Sequence, residues 1–145
     1  MKSALPGFLL ATLLSSEAAA CSCMPGTLEE FARGAHAIHF ATLQQAKLIA
    51  GDDKRWPSIE GTFEIRKTLK GGARAGSITL STPADGAACG VSMLVSATYL
   101  LFLQPGQITL HACGGDRIVE RFQEAEVAAQ VQAALKRSRP AKQAK

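Results

Sequence analysis

The stretch Cys21-Ser22-Cys23 decides how this chain can fold, because it places two thiols one residue apart at the start of a predicted domain. Upstream lie the basic Lys2, an apolar stretch over residues 5–14 and the small residues Ala18-Ala19-Ala20. This order is typical of a secretion signal that is removed on export. Cleavage after Ala20 would make Cys21 the first residue of the exported chain.

We therefore predict three segments along the 145 residues: a signal peptide over residues 1–20, one domain over 21–138 and a disordered basic tail over 139–145. The apolar part of the leader is shorter than the roughly 20 residues that cross a bilayer, which argues against a retained anchor. We expect an exported protein, periplasmic or secreted, without a membrane span.

Lipid anchoring at Cys21 is the alternative, because bacterial lipoproteins also begin with a cysteine directly after the cleavage point. Two features disfavour it. The lipoprotein signal usually has Leu three residues before that cysteine, and this chain has Ala18. Lipid on Cys21 would also leave three cysteines, an odd number for an oxidising compartment.

The four cysteines are Cys21, Cys23, Cys89 and Cys113. Export favours disulfides, and a bridge across a single residue would be strained, so Cys21 and Cys23 are each expected to pair with a distant cysteine. Two connectivities remain open on these grounds. Each bridge would close a loop of about 70–90 residues, worth about 4 kcal/mol in the chain-entropy model. The spacing fits a four-thiolate zinc site badly, since such sites favour C-x₂₋₄-C pairs.

Strand patterns bounded by turn residues recur along the domain. The predicted strands cover residues 36–47, 59–69, 77–82, 99–103 and 107–113. Most of them alternate, with one apolar residue in two facing inward. The predicted inward residues are Ile38, Phe40, Phe63, Ile65, Ile78, Leu80, Ile108 and Leu110. The run from Tyr99 to Leu103 is apolar nearly throughout, which favours a strand buried on both faces.

Two helices flank the predicted strands. Thr27 and Glu30 form a capping-box pattern, which predicts a short helix over residues 28–33 with Phe31 packed inward. After Cys113 the apolar residues follow a helical period, which predicts a longer amphipathic helix that covers the sheet. These residues are Ile118, Phe122, Ala125, Ala128 or Ala129, Val131 and Leu135. The whole is predicted to be mainly β, a five-stranded barrel of the OB-fold type, with a sandwich as the alternative.

No catalytic pattern stands out, so we predict that the protein is not an enzyme and holds no cofactor or intrinsic metal. There is no Ser/His/Asp set, phosphate-binding loop or carboxylate pair. His36 and His39 are three residues apart, which sends them to opposite faces of a strand. The net charge of +4 is attributed to solubility and the basic tail rather than to nucleic-acid binding. A monomer is expected.

Several motifs resemble the tissue inhibitors of metalloproteinases and, more broadly, the netrin-like domain. Cys21-Ser22-Cys23-Met24-Pro25 is similar to that family's opening Cys-x-Cys-x-Pro, and Ala88-Cys89-Gly90-Val91-Ser92 is similar to its segment around a later cysteine. The resemblance extends to Cys113. It implies an OB-type fold and the pairing of Cys21 with Cys89 and of Cys23 with Cys113. Unlike the animal inhibitors, this chain lacks a further disulfide in this domain and a second cysteine-rich domain.

The resemblance also implies a function, the inhibition of a zinc metalloprotease as partner. In that family the first residue binds the catalytic zinc of the protease, so the amine and carbonyl oxygen of Cys21 would chelate that zinc. Other residues would contact the protease: Ser22, Cys23, Met24, Pro25, Ala87, Ala88 and Cys89. The alternative is a netrin-like binding module of the cell envelope or extracellular space that inhibits nothing.

Overall fold

Over the residues that the structure describes, the protein is mainly β, with five antiparallel strands in one sheet and two α-helices. The structure is a computed structural model, and it describes residues 23–24, 26–53, 55–72, 76–85 and 88–138. The predicted signal peptide, residues 1–20, and the predicted tail, residues 139–145, lie outside the described residues.

The strands lie in the spatial order β3-β2-β1-β4-β5. Their bounds are β1 Ala37–Ile49, β2 Ser58–Lys70, β3 Gly76–Pro83, β4 Thr98–Leu103 and β5 Arg117–Ile118. The ladder between β1 and β2 shifts register at three places between Ile38 and Gln45. Such irregularities increase the local twist of a sheet.

Strand β4 and the first part of β1, residues 38–41, are buried on both faces, and for β4 this agrees with the apolar run at Tyr99 to Leu103. One cluster of buried residues lies between the sheet and the helices: Ala32, Ala35, Ile38, Phe40, Leu100, Phe102, Val119, Ala128, Val131 and Ala134. The second cluster lies on the opposite, inner face: Ala41, Leu43, Phe63, Leu80, Tyr99, Leu101 and Leu110. Alternating residues of the same two strands therefore supply both cores.

Because β1 is buried on both faces near its start, one of the two histidines is buried as well. His39 is 1% exposed, and its Nδ1 lies 2.9 Å from Thr68 Oγ1 on the neighbouring strand. His36, just before β1, is exposed. Opposite faces of a strand need not differ in exposure here, because β1 has no solvent-facing side at His39.

The predicted strand over residues 107–113 is wrong in most of its length. Leu110 is fully buried as expected, but Ile108 is 70% exposed. The segment runs parallel to β3 through one bridge, in which Ser81 N donates to Ile108 O at 2.8 Å and Leu110 N donates to Ser81 O at 2.7 Å. The chain then turns through a 3₁₀ helix at Ala112–Gly114, and the fifth strand comes only afterwards. The sheet is not closed into a barrel.

The first helix agrees with its predicted signal. α1 covers Leu28–Gly34, and both halves of the capping box are formed. Glu30 N donates to Thr27 Oγ1 at 3.2 Å, while Thr27 N donates to Glu30 Oε2 at 2.7 Å. Phe31 packs against Phe102 of β4 with ring centroids 5.8 Å apart, so the helix is attached to the sheet.

The second helix, α2, covers Glu124–Arg137 and begins later than the apolar period predicts. Val119 N donates to Thr98 O, which keeps the preceding residue Ile118 in β5. Phe122 lies in a 3₁₀ turn and is 82% exposed, so it is not a core residue. The face of α2 that packs on the sheet consists of Ala128, Val131 and Ala134.

Candidate functional site

A disulfide bonds the start of the described chain to a turn late in the domain. Cys23 is bonded to Cys113, 90 residues away, with their Cα atoms 5.2 Å apart. Cys113 lies in the 3₁₀ turn that follows the Leu110 segment. Cys23, the third residue after the predicted cleavage point, is therefore held against a turn that is itself attached to β3.

The loop of Cys89 meets this turn. Ala112 N, one residue before Cys113, donates to Cys89 O at 2.8 Å. Cys89 is itself disulfide-bonded and has a φ of +59°, a left-handed conformation that is uncommon for any residue other than glycine. Its implied partner, Cys21, lies outside the described residues. The backbone thus brings Cys23, Cys89 and Cys113 to one end of the sheet.

One buried hydroxyl joins these loops, and sequence reasoning missed its role. Thr82, at the end of β3, is fully buried. Its Oγ1 donates to Leu110 O at 3.1 Å and accepts from Val91 N at 2.7 Å. A buried hydroxyl that satisfies a carbonyl and an amide fixes both partners, since leaving either one unpaired would be costly. The only signal in the sequence is a polar residue at the end of an apolar strand.

Of the four predicted contact residues that the structure describes, Met24 and Ala88 are exposed, while the disulfide-bonded Cys23 and Cys89 are half-buried. Met24 is 92% exposed, and Ala88 is exposed at the end of a short turn in which its N–H donates to Asp85 O. The remaining predicted contact residues, Ser22, Pro25 and Ala87, lie outside the described residues. The described members of the set therefore lie beside the Cys23–Cys113 bridge or in the Cys89 loop.

The tip of the β1–β2 hairpin borders the same end of the sheet. Ala84 N, in the loop that leads to Cys89, donates to Pro57 O at 3.0 Å. The neighbouring Trp56 is 88% exposed. This large apolar side chain lies in the loop between β1 and β2, one residue before the Pro57 that bonds to Ala84.

Two glycines after Cys113 allow the chain to turn tightly. A Cβ on Gly114 would stand 2.9 Å from Asp116 Oδ2, and one on Gly115 would stand 2.6 Å from the Phe31 ring. Gly115 also has a φ of +85°, which L side chains rarely adopt. The turn that carries Cys113 is consequently packed between α1 and a buried carboxyl group.

That carboxyl group belongs to Asp116, which is 7% exposed. Its Oδ1 accepts from Phe102 N at 2.7 Å, while its Oδ2 is buried with no hydrogen-bond partner among the described residues. Burial raises the pKa of Asp116 from its ordinary value of 3.8 to about 6, although the N–H of Phe102 acts in the opposite direction. The ionised form is therefore disfavoured in the folded protein.

We expect Asp116 to make the fold more stable as the pH falls from 6 to 4. Because its pKa is higher in the folded than in the unfolded chain, ionisation costs stability above pH 6, and this cost disappears below about pH 4. This difference between the folded and unfolded pKa of Asp116 corresponds to about 3 kcal/mol in the free energy of unfolding. Urea unfolding at several pH values would measure it, with Asp116→Asn as the comparison. The Asn variant should lack this rise, and an identical pH profile for both proteins would contradict the assignment.

Among the described residues, no group of three or more His, Cys, Asp or Glu side chains is arranged to hold a metal ion. The helices in the described part of the chain are also too short or too polar to cross a membrane.

The sequence matches no protein-family model, and no curated protein matches it.

Proposed function

We propose that this protein inhibits a zinc metalloprotease by presenting the amine and carbonyl oxygen of Cys21 to the catalytic zinc. The observation that carries the proposal is the Cys23–Cys113 disulfide, which anchors the chain two residues after Cys21. The neighbouring Met24 is almost fully exposed, as a segment that enters a cleft must be. The Cys89 loop lies against the same turn.

The chemistry requires only backbone groups at Cys21. A catalytic zinc has three protein ligands and keeps one position for water. An α-amine and the carbonyl oxygen of the same residue form a five-membered chelate ring with a metal. The α-amine has an ordinary pKa of about 7.7–8.0, so a useful fraction is neutral near pH 7. Binding there would displace the water that the protease activates as its nucleophile.

In this proposal, the affinity for the protease depends on a chain end that is already rigid before binding. A flexible chain end would lose conformational entropy on entering a protease cleft, and that loss would weaken binding. The bridge at Cys23 and the hydrogen bonds through Thr82 order the neighbouring loops before any partner arrives. The Cys89 loop, with Ala88 exposed, would form a second contact beside the chain end.

We also propose that the fold is of the OB type, with a sheet that stays partly open. The support is the parallel bridge between Ser81 and Thr109, which brings the segment after β4 alongside β3. Ser81 Oγ reinforces it with a hydrogen bond to Ile108 O at 3.2 Å. This single bridge lies where a closed barrel would complete its ring of strands.

The proposal is tested by adding one alanine before Cys21. The extension turns the Cys21 amine into an amide, which binds zinc poorly, and places the new amine one residue further from the anchored Cys23. We therefore expect inhibition to weaken by about 100-fold or more, equivalent to about 2.7 kcal/mol. The measurement is the inhibition constant against the catalytic domains of a matrix metalloproteinase and of a thermolysin-type endopeptidase. The exported chain with a free Cys21 should inhibit at least one of them.

A matched control adds one alanine after Lys145 instead, at the other end of the chain. It should leave inhibition unchanged, and circular dichroism should show the same fold in all three proteins. Full inhibition by the chain extended before Cys21 would rule out chelation. Absence of inhibition by the unextended protein would favour the alternative, a netrin-like binding module.

A further inference from the structure

We infer that the opposite end of the sheet carries a binding site for a phosphate-type oxyanion. The site is a surface pocket of about 510 Å³ between the C-terminal ends of α1 and α2 and the end of β2. Three basic side chains line it, one from each element: Arg33, Lys70 and Lys136. The lining also includes the polar side chains of Gln132 and Ser138. No carboxylate occurs among the described residues that line this pocket.

The charge around the pocket is unbalanced. Arg33 pairs with Glu29 at 3.3 Å, and Arg137 of α2 pairs with the same carboxylate at 3.0 Å. A single carboxylate therefore serves two guanidinium groups, and Lys136 has no ion-pair or hydrogen-bond partner among the described residues. An arginine has five N–H donors, so the Arg33 side chain keeps donors beyond the one it gives to Glu29.

Helix C-termini carry partial negative charge, which would weaken the binding of an anion. Lys70 compensates for this at α1, because its Nζ donates to Ala32 O at 2.9 Å and to Arg33 O at 3.0 Å. An ammonium group has three donors, so one remains after these two bonds. Lys70 is thus held in place by the helix end and still contributes its charge to the pocket.

The pocket is separate from the Cys89 loop. Lys70 ends β2, whereas the other end of this 13-residue strand adjoins the Pro57–Ala84 hydrogen bond near that loop. At about 3.3 Å per residue, about 40 Å of strand lies between Lys70 and that hydrogen bond. Arg33 lies nearer to the Cys113 turn, because Phe31 on the same short helix packs against Gly115. Beyond Ser138 the sequence adds further basic residues, Arg139, Lys142 and Lys145.

The test is calorimetric titration of the exported protein with inorganic pyrophosphate at low salt, where screening is weak. We expect saturable binding that weakens about three- to fivefold in Lys136→Gln and in Arg33→Gln. Lys47→Gln is the matched control, because Lys47 is exposed and lies opposite Glu60 in the β1–β2 ladder, toward the other end of the sheet. Binding should be unchanged in that variant. Absence of saturable binding, or an equal loss in Lys47→Gln, would overturn the inference.

The source of the phosphate is distinguished by a second arm that uses phosphatidylcholine vesicles with and without phosphatidic acid. Binding to the acidic vesicles that Lys136→Gln weakens would assign the site to a lipid headgroup. Pyrophosphate binding without vesicle binding would assign it to a soluble phosphate. Protease inhibition at saturating pyrophosphate should be unchanged, so this inference and the proposed inhibition can fail independently.

Discussion

Replacing Cys23 and Cys113 together by alanine is expected to lower the free energy of unfolding by about 4–5 kcal/mol. The bridge closes a loop between residues 90 positions apart, and the chain-entropy model assigns a loop of this size a stabilisation in that range. Few other double substitutions should cost as much, because a single domain has a total stability of only about 5–15 kcal/mol. Urea unfolding followed by circular dichroism measures the loss.

Met24→Ala is the control for this experiment, because Met24 adjoins Cys23 but is 92% exposed. It should change the free energy of unfolding by less than about 0.5 kcal/mol. The urea dependence of unfolding should be steeper in the double variant, since its unfolded chain exposes more surface without the bridge. An unfolding midpoint equal to that of the parent protein would contradict the role given to this disulfide.

Replacing Phe63 by alanine is expected to cost about 3–5 kcal/mol of stability. Phe63 is fully buried on the inner face of the sheet, and its ring meets the Tyr99 ring edge-on with centroids 5.2 Å apart. The Tyr99 hydroxyl donates to Ser92 O at 2.8 Å and accepts from Leu94 N at 2.7 Å. Loss of the Phe63 ring would leave a cavity under the loop that leads from Cys89 back to β4.

Phe122→Ala provides the same substitution at an exposed position, since Phe122 is 82% exposed. Its effect should stay below about 0.5 kcal/mol. Both variants can be compared with the parent protein in one series of urea unfolding curves. If Phe63→Ala were no more destabilising than Phe122→Ala, the inner core described above would be wrong.

Local signals in the sequence predicted local structure well. The capping box at Thr27 marks the beginning of α1, and the apolar run from Tyr99 to Leu103 marks a strand buried on both faces. The errors arose where distant parts of the chain compete with a local pattern. Ile118 fits a helical period, but β4 offers it a strand partner at Tyr99. The segment around Leu110 has a strand pattern, but it must turn early because Cys113 is bonded to Cys23.

Part of the candidate site was also predictable from the sequence. Cysteine spacing and the resemblance indicated which loops meet, although the pairing of Cys21 and the contacts of Ser22, Pro25 and Ala87 stay predictions. Thr82 could not be identified as the joint between the loops, because its two hydrogen-bond partners lie far apart in sequence. Asp116 carries no signal in the sequence, and only the packing of Gly114 and Phe102 around it shows a buried carboxyl group.

The most direct test of the central claim is the intact mass of the protein recovered after export, together with the sequence of its first residues. Chelation by Cys21 requires a chain that begins at this residue, with an unmodified amine. We expect the mass of an unmodified chain over residues 21–145, lowered by four hydrogens for two disulfides. A chain that begins elsewhere, or one whose mass includes lipid or an acyl group on Cys21, would contradict it.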